Sequence, residues 1–431
     1  MKVIKTYGKS AEAAKTLIES IESRSAVSTA KVEDTVKTIL AAVRKRGDAA
    51  VEKYATKFDS LDGPIRVTPE EMQEAWDATA PALREAMTTA QANIRAFAEA
   101  QRPEEWLMQD SIGLTTGQIV RPLASVGCYV PGGRFPLPST LLMTVTPAQV
   151  AGVPRTVVCS PKPARETLAA AHLAGLHSSK PVEFYRIGGA QAIAALAYGT
   201  QTIARVEKIV GPGNLYVTAA KRLVQNDCGI DMPAGPTEIG ILSEKGSPAG
   251  LAADLVAQAE HDPEALAVFV TPNEQLAKAV FAETQKQAKA LTTNGNPLAQ
   301  QSLAANGFVF VTKTITQARD LINRLAFEHL SVDALADLSW IQNAGSVFVG
   351  RFSPQSMGDY ISGPNHVLPT GRAGRIRGGL SIFDFVKIIT IQQYSAAALK
   401  VLGPQAIVLA EAEGLIGHAQ SVRVKLKGGK R

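Results

Sequence analysis

Two periods of apolar residues alternate along this chain. Val32, Val36, Ile39, Leu40 and Val43 recur at helical spacing, so residues 32 to 46 form an amphipathic helix closed by Gly47. Thr68-Pro69-Glu70-Glu71 is a capping box with proline at the first helical position, and it opens a long helix running to about Ala100. No titratable cluster marks a site here; the region is a packing layer. From residue 120 short β-rich runs alternate with Ala/Leu-rich helical segments: 124–130, 156–160, 182–187 and 206–210. A second alternating set follows Asp231 to Glu238, with strands expected at 239–242, 267–271, 308–311 and 346–349. The pattern predicts an α/β fold of two parallel-sheet units with a crevice between them, and ligands beyond the C-terminal strand ends.

Three of those strand ends carry small-residue turns: Pro131-Gly132-Gly133, Gly188-Gly189-Ala190-Gln191 and Gly211-Pro212-Gly213-Asn214. Glycine lets a backbone approach a phosphate, and a following helix offers unpaired N–H groups. None is the G-x-G-x-x-G fingerprint, yet three on one edge point to a nucleotide crevice.

Composition narrows the class. With 431 residues, 45% of them hydrophobic and 19% charged, the chain can bury more than one core, and two or three domains are expected. The net charge of +6 comes without a basic run interleaved with aromatics before the short tail Lys425 to Arg431, so no nucleic-acid partner is expected. Cys128, Cys159 and Cys228 are too scattered for a disulfide framework. No secretory signal and no apolar stretch of membrane-spanning length is visible, so a cytoplasmic, soluble protein without a membrane partner is expected.

The candidate chemistry lies after residue 250, where four of the six histidines fall. Leu251, Leu255 and Val256 place Gln258 and His261 on one helix behind Pro248, three residues apart on a shared face, as two legs of a metal site. Glu328-His329 sets a carboxylate beside an imidazole, which suits a general acid/base pair. Asp359 and His366 share a Gly/Pro-rich segment ending at Pro369, and Glu413 and His418 sit five apart. His172 and His177 lie on an ordinary Ala/Leu helix and are assigned no role.

Taken in order, Tyr129-Val130-Pro131-Gly132-Gly133, Gly188 to Ile193, Gly211 to Asn214, Gln258-x-x-His261, Phe327-Glu328-His329, Gly358-Asp359-Tyr360, Gly363 to Thr370, and Glu411 to Leu415 with His418 resemble histidinol dehydrogenase over nearly the whole chain. The resemblance implies a zinc enzyme that oxidises L-histidinol through L-histidinaldehyde to L-histidine with two NAD and one water. It implies zinc ligands Gln258, His261, Asp359 and His418; dinucleotide contacts Tyr129, Gln191 and Asn214; and acid/base residues Glu328 and His329. Substrate contacts would be Thr237, His366 and Glu413, besides His329 and the zinc ligands. It further implies an intertwined homodimer of two Rossmann-like domains. These would comprise an N-terminal helical segment 1–23, a first domain of 24–128 plus 238–380, an NAD-binding domain 129–237, and a dimer-exchanged segment 381–431.

Two departures from the family pattern open alternatives. Thr237 and Gly378 stand where serine is expected, and Arg372, Arg375 and Arg377 add charge suited to anion recognition. A paralogue acting on an anionic, for instance sulfonated, diol is therefore one alternative. A zinc hydrolase using Glu328 on a metal-bound water is another, and a non-catalytic metal-binding relative a third; the three glycine turns speak against the hydrolase, and the presence of both Glu328 and His329 against the non-catalytic relative.

Overall fold

The computed structural model describes residues 1–24, 30–132, 136–176, 181–233 and 235–428. Gly133, His177, Ala234 and the end of the basic tail from Gly429 lie outside the described residues. The chain divides into two compact units, one of residues 1–101 and 123–385, the other of 102–122 and 386–431.

The larger unit holds two six-stranded sheets. Sheet I runs in the order Lys2–Lys5, Gly307–Val311, Leu266–Thr271, Glu238–Leu242, His329–Val332, Ser346–Val349, parallel throughout. Its inner strands are buried along their whole length, as in Leu266–Thr271 and Gly307–Val311, because helices cover both faces of a parallel sheet. Sheet II runs Arg66–Val67, Glu183–Tyr185, Thr156–Cys159, Val126–Tyr129, Lys208–Val210, Gly229–Ile230, parallel except for its antiparallel first pair. In each sheet the strand order reverses once, beside Glu238–Leu242 in sheet I and beside Val126–Tyr129 in sheet II.

The eight strands expected after residue 120 are all present: the first four are trimmed at one or both ends, three of the second four begin one residue earlier, and Ser346–Val349 matches its expected bounds. The helix expected over 32–46 spans Ala30–Arg46, and Gly47 ends it with φ +54°. Val36 and Val43 on its inner face are fully buried, which favours docking by roughly 1.5–3 kcal/mol for each such side chain. The capping box at Thr68 is formed in both directions. The long helix behind it is not continuous: it stops at Asp77 and restarts as Pro81–Ala100. Pro81 is the cause, since the residue before proline is pushed out of the helical region, and Ala80 has ψ 139°.

The expected domain division is corrected in three places. The helix Ala30–Arg46 joins the core beside sheet II, packing on the helices Gly189–Tyr198 and Leu215–Val224, and not with residues 238–380. The N-terminal segment begins with a strand, Lys2–Lys5, before its helix Ala11–Ser23. Residues 102–122 belong with the C-terminal segment, because Leu114–Pro122 pairs antiparallel with both Val386–Tyr394 and Trp106–Gln109. That three-stranded sheet carries the helices Ala396–Ala412 and Ile416–Lys427 in the smaller unit, so the C-terminal segment is not purely helical.

Candidate functional site

One site forms at the amino edge of sheet I, opposite to the edge expected. Ile239 pairs with His329, so Thr237 and Glu238 at the start of one strand abut Glu328 and His329 at the start of the next. The helix Pro248–Ala259 returns from the far edge and brings Gln258 back in its last turn. Ala252, Leu255, Val256 and Ala259 bury its other face. His261 is not on that helix: Glu260 caps it, and Pro263 keeps Asp262 from extending it. The short helix Ser356–Tyr360 supplies Asp359.

The side chains are linked one to the next. Thr237 Oγ1 donates to Glu328 Oε2 at 2.6 Å, and the Glu238 N–H donates to the same oxygen at 2.8 Å. Because the single threonine proton goes to the carboxylate, the group Thr237 receives from Gln258 must be a donor, its Nε2. Gln258 is fully buried, and its Oε1 is left without a partner among the described residues. A buried amide oxygen of this kind is costly unless something fills it.

His329 is held on both ring nitrogens. Nδ1 lies 3.2 Å from the Glu238 carbonyl oxygen and 3.5 Å from Glu328 Oε2, while Nε2 lies 3.5 Å from Asp359 Oδ1. Phe348 stacks on the ring with centroids 5.9 Å apart. Burial alone would lower the pKa of this imidazole, but Glu328 and Asp359 outweigh it and push it up to about 10. Asp359 Oδ2 also lies 4.0 Å from His261 Nε2, and burial of that carboxyl is outweighed by His329, His366 and His261, which hold it below the usual range. Burial and the neighbouring Glu328 push Glu238 up to about 8.

His366 faces the same place from behind Asp359. Its Nδ1 lies 2.7 Å from the Asp359 carbonyl oxygen, which can only accept, so Nδ1 carries the proton. Burial holds the ring below its ordinary pKa, and Nε2 is then free to accept from Thr140 Oγ1 at 3.1 Å. His329, Phe348, Asn365 and His366 line a cavity of about 280 Å³ beside this set.

A second site lies at the carboxyl edge of sheet II, where its strand order reverses. Tyr129, Gly132, Gly189, Gln191 and Asn214 line a crevice of about 570 Å³ together with Asp59, Lys162 and Tyr216. Gly211 must be glycine: its φ is +113°, and a Cβ there would stand 2.1 Å from the Tyr129 carbonyl oxygen. The buried pair Lys221 and Asp231 grips that residue, Asp231 Oδ2 accepting the Gly211 N–H at 2.7 Å and Lys221 Nζ donating to its carbonyl at 2.9 Å. Asn214 Oδ1 caps the next helix through Tyr216 N and Val217 N, and Gln191 Nε2 is held by Asp59.

Glu413 and His418 are in the smaller unit, on the turn after Ala396–Ala412 and on Ile416–Lys427, and both are exposed. Among the described residues of one chain no three His, Cys, Asp or Glu side chains form a metal cluster. The added arginines point elsewhere than the cavity. Arg372 pairs with Glu22 at 3.2 Å, Arg375 donates to the Arg324 carbonyl at 3.5 Å, and Arg377 pairs with Asp384 at 3.0 Å. His172 packs half-buried beside Trp76. Asp59, Thr140 and Glu238 have no signal in the sequence beyond an acidic residue or threonine near an element end.

A buried imidazole between carboxylates on one parallel sheet, and a glycine-lined crevice at the reversal of another, define the class of the protein: an α/β oxidoreductase. The comparisons name the branch. A family model described as histidinol dehydrogenase matches residues 22–426, and the chain belongs to that family. It is 46% identical to the histidinol dehydrogenase of Geobacillus kaustophilus over 396 residues, covering 91% of this chain and 93% of that one. It is 46% identical to that of Agrobacterium fabrum over 408 residues, covering 92% of each. The crystal structure of histidinol dehydrogenase from Elizabethkingia anophelis superposes with a TM-score of 0.87 at 34% identity, again over 92% of each chain. Among the described residues no helix is long and apolar enough to cross a membrane.

Proposed function

We propose that this chain oxidises L-histidinol to L-histidine in two steps, reducing two NAD and consuming one water, as the last stage of histidine biosynthesis. The observation that carries the reading is the linked set Gln258, Thr237, Glu328, His329, Asp359, which ends on an unfilled amide oxygen. That oxygen, with the His261 ring and the Asp359 carboxylate, makes a nitrogen and oxygen donor set that fits zinc. A zinc ion held by these three residues and by His418 of a second copy would anchor the amine and imidazole nitrogens of the substrate and draw on the Asp359 charge that holds the His329 proton.

NAD is the second substrate and accepts the hydride in each oxidation; Tyr129, Gln191 and Asn214 are assigned to its crevice. In the first oxidation His329 would take the hydroxyl proton as the carbinol carbon gives up its hydride, once a cation on Asp359 has offset the charge that otherwise keeps the ring protonated. In the second, Glu328 activates a water that adds to the aldehyde, because only the hydrate has a hydride to give. Thr237 and His366, with Glu413 of a second copy, complete the substrate contacts. Keeping the aldehyde in this buried place prevents its escape between the steps.

The chain is assigned to a homodimer, intertwined through the smaller unit. Leu107, Met108, Val408, Leu409 and Ile416 of that unit are exposed apolar side chains that such an interface would cover. The three cysteines are buried free thiols, which agrees with a cytoplasmic setting. The ion pairs of Arg372 and Arg377 favour the amino alcohol over an anionic diol. The deciding experiment follows reduced nicotinamide by absorbance with L-histidinol, other amino alcohols and sulfonated diols. L-Histidinol should be preferred, and hydrolysis without NAD would overturn the reading.

A further inference from the structure

Asp59 breaks two local rules at once. It is the last residue of the helix Asp48–Asp59, where a carboxylate opposes the helix dipole, and only 8% of it is exposed. Its Oδ2 accepts the Gly188 N–H at 2.9 Å and Gln191 Nε2 at 3.0 Å. Among the described residues no hydrogen bond reaches Oδ1, and the side chain lines the crevice of sheet II. Local conflicts of this kind concentrate at functional positions.

The surroundings indicate which part of a ligand Asp59 meets. Phe58 and Tyr216, both exposed, flank the crevice and suit a flat heteroaromatic ring. Lys162, held at φ +44°, supplies a cation on the same wall, suited to a diphosphate. Between a ring and a diphosphate stands a ribose, and a carboxylate there accepts from its hydroxyls.

We propose that Asp59 selects the free 2′-hydroxyl of the adenosine ribose in NAD and rejects the 2′-phosphate of NADP. This deepens the reading of the crevice as the dinucleotide site and rests on it. A carboxylate gains a charge-assisted hydrogen bond from the hydroxyl and meets a like charge in the phosphate, so attraction and repulsion act together. Asp59 is a specificity-determining residue with no part in the hydride steps.

The test is equilibrium binding of NAD and NADP, without amino alcohol, to the wild-type chain, Asp59→Asn and Lys162→Met. The wild type should bind NAD more tightly. Asp59→Asn should narrow the ratio of the two dissociation constants by about tenfold or more, whereas Lys162→Met should weaken both alike. NAD lacking the adenosine 2′-hydroxyl should bind the wild type about tenfold more weakly, a measurement that needs no variant to fold. An unchanged ratio in a folded Asp59→Asn protein, equal binding of the deoxy analogue, or no dinucleotide binding would each overturn the proposal. Failure to turn over L-histidinol would instead strike the substrate reading and leave these binding results standing.

Discussion

Thr237 gives its only hydroxyl proton to Glu328 across 2.6 Å, and so fixes which end of the Gln258 amide faces it. The position needs a hydroxyl and tolerates threonine or serine equally. Thr237→Ser should keep activity within a few-fold. Thr237→Val leaves the buried carboxylate and amide short of a partner, at a cost of about 1–3 kcal/mol in urea unfolding. It should also lower zinc retention, measured by metal content after dialysis; unchanged values would mean that the amide is oriented by something else.

Gln258→Leu removes the buried orphan oxygen together with the proposed ligand. The apo chain should lose little stability or gain some, since an unsatisfied acceptor disappears. Zinc content per chain and turnover of L-histidinol should both collapse. A leucine variant that still carries stoichiometric zinc would remove Gln258 from the ligand set.

Glu328→Gln and His329→Asn should separate the two oxidations. His329→Asn is expected to slow both by roughly 10²–10⁴-fold, and Glu328→Gln mainly the oxidation of the aldehyde. Each half-reaction can be followed by starting from the alcohol or from the aldehyde. Equal losses at both steps for both variants would contradict the division of roles.

Acid stability should depend on Asp384. Burial would raise its pKa, but Lys208 at 2.9 Å and Arg377 at 3.0 Å hold it below the usual carboxylate range. A depressed folded pKa stabilises the native state above the unfolded value of about 3.9 and is lost as pH falls through the folded value. Asp384→Asn should therefore cost about 1.5–3 kcal/mol at neutral pH and show a flatter decline below about pH 4 in chemical denaturation. Parallel declines in both proteins would show that Asp384 contributes nothing to acid unfolding.

Arg372→Ala should leave the ranking of substrates unchanged, because its guanidinium is engaged with Glu22. The expected loss is in stability, within about 1 kcal/mol for a partly exposed pair. A gain or loss of activity on sulfonated diols would instead place Arg372 at the substrate.

Much of this fold is written in local pattern. The runs at 156–160 and 308–311 are bounded by turn residues and rich in β-branched or aromatic side chains, so each strand could be placed from its own neighbourhood. The strand His329–Val332 has no such local signature, because Glu-His-Leu-Ser has neither alternation nor a β-rich run; parallel pairing on both sides makes it a strand. The strands Leu114–Pro122 and Val386–Tyr394 do carry local signal, in Thr115, Thr116, Ile119 and Val120 and in Val386, Ile388, Ile389, Thr390 and Ile391; what local pattern does not carry is their pairing across more than 260 residues. At the site, Gln258, Glu328, His329 and Asp359 were visible as residues with chemistry. Their convergence was not, since Thr237 joins them only through the register between two strands. Apolar spacing carries the helix through His261, whereas it ends at Ala259 with Glu260 as its cap, because periodicity does not register the proline at 263.

The smaller unit is assembled from two stretches of chain separated by ten of the twelve strands of the two six-stranded sheets. Its middle strand, Leu114–Pro122, is synthesised long before the strand Val386–Tyr394 that covers one of its edges. During translation that edge stays open, with unpaired N–H and C=O groups able to recruit a foreign strand. The nascent protein should consequently be most prone to aggregate in the interval when Leu114–Pro122 has left the ribosome and residues 386–394 have not.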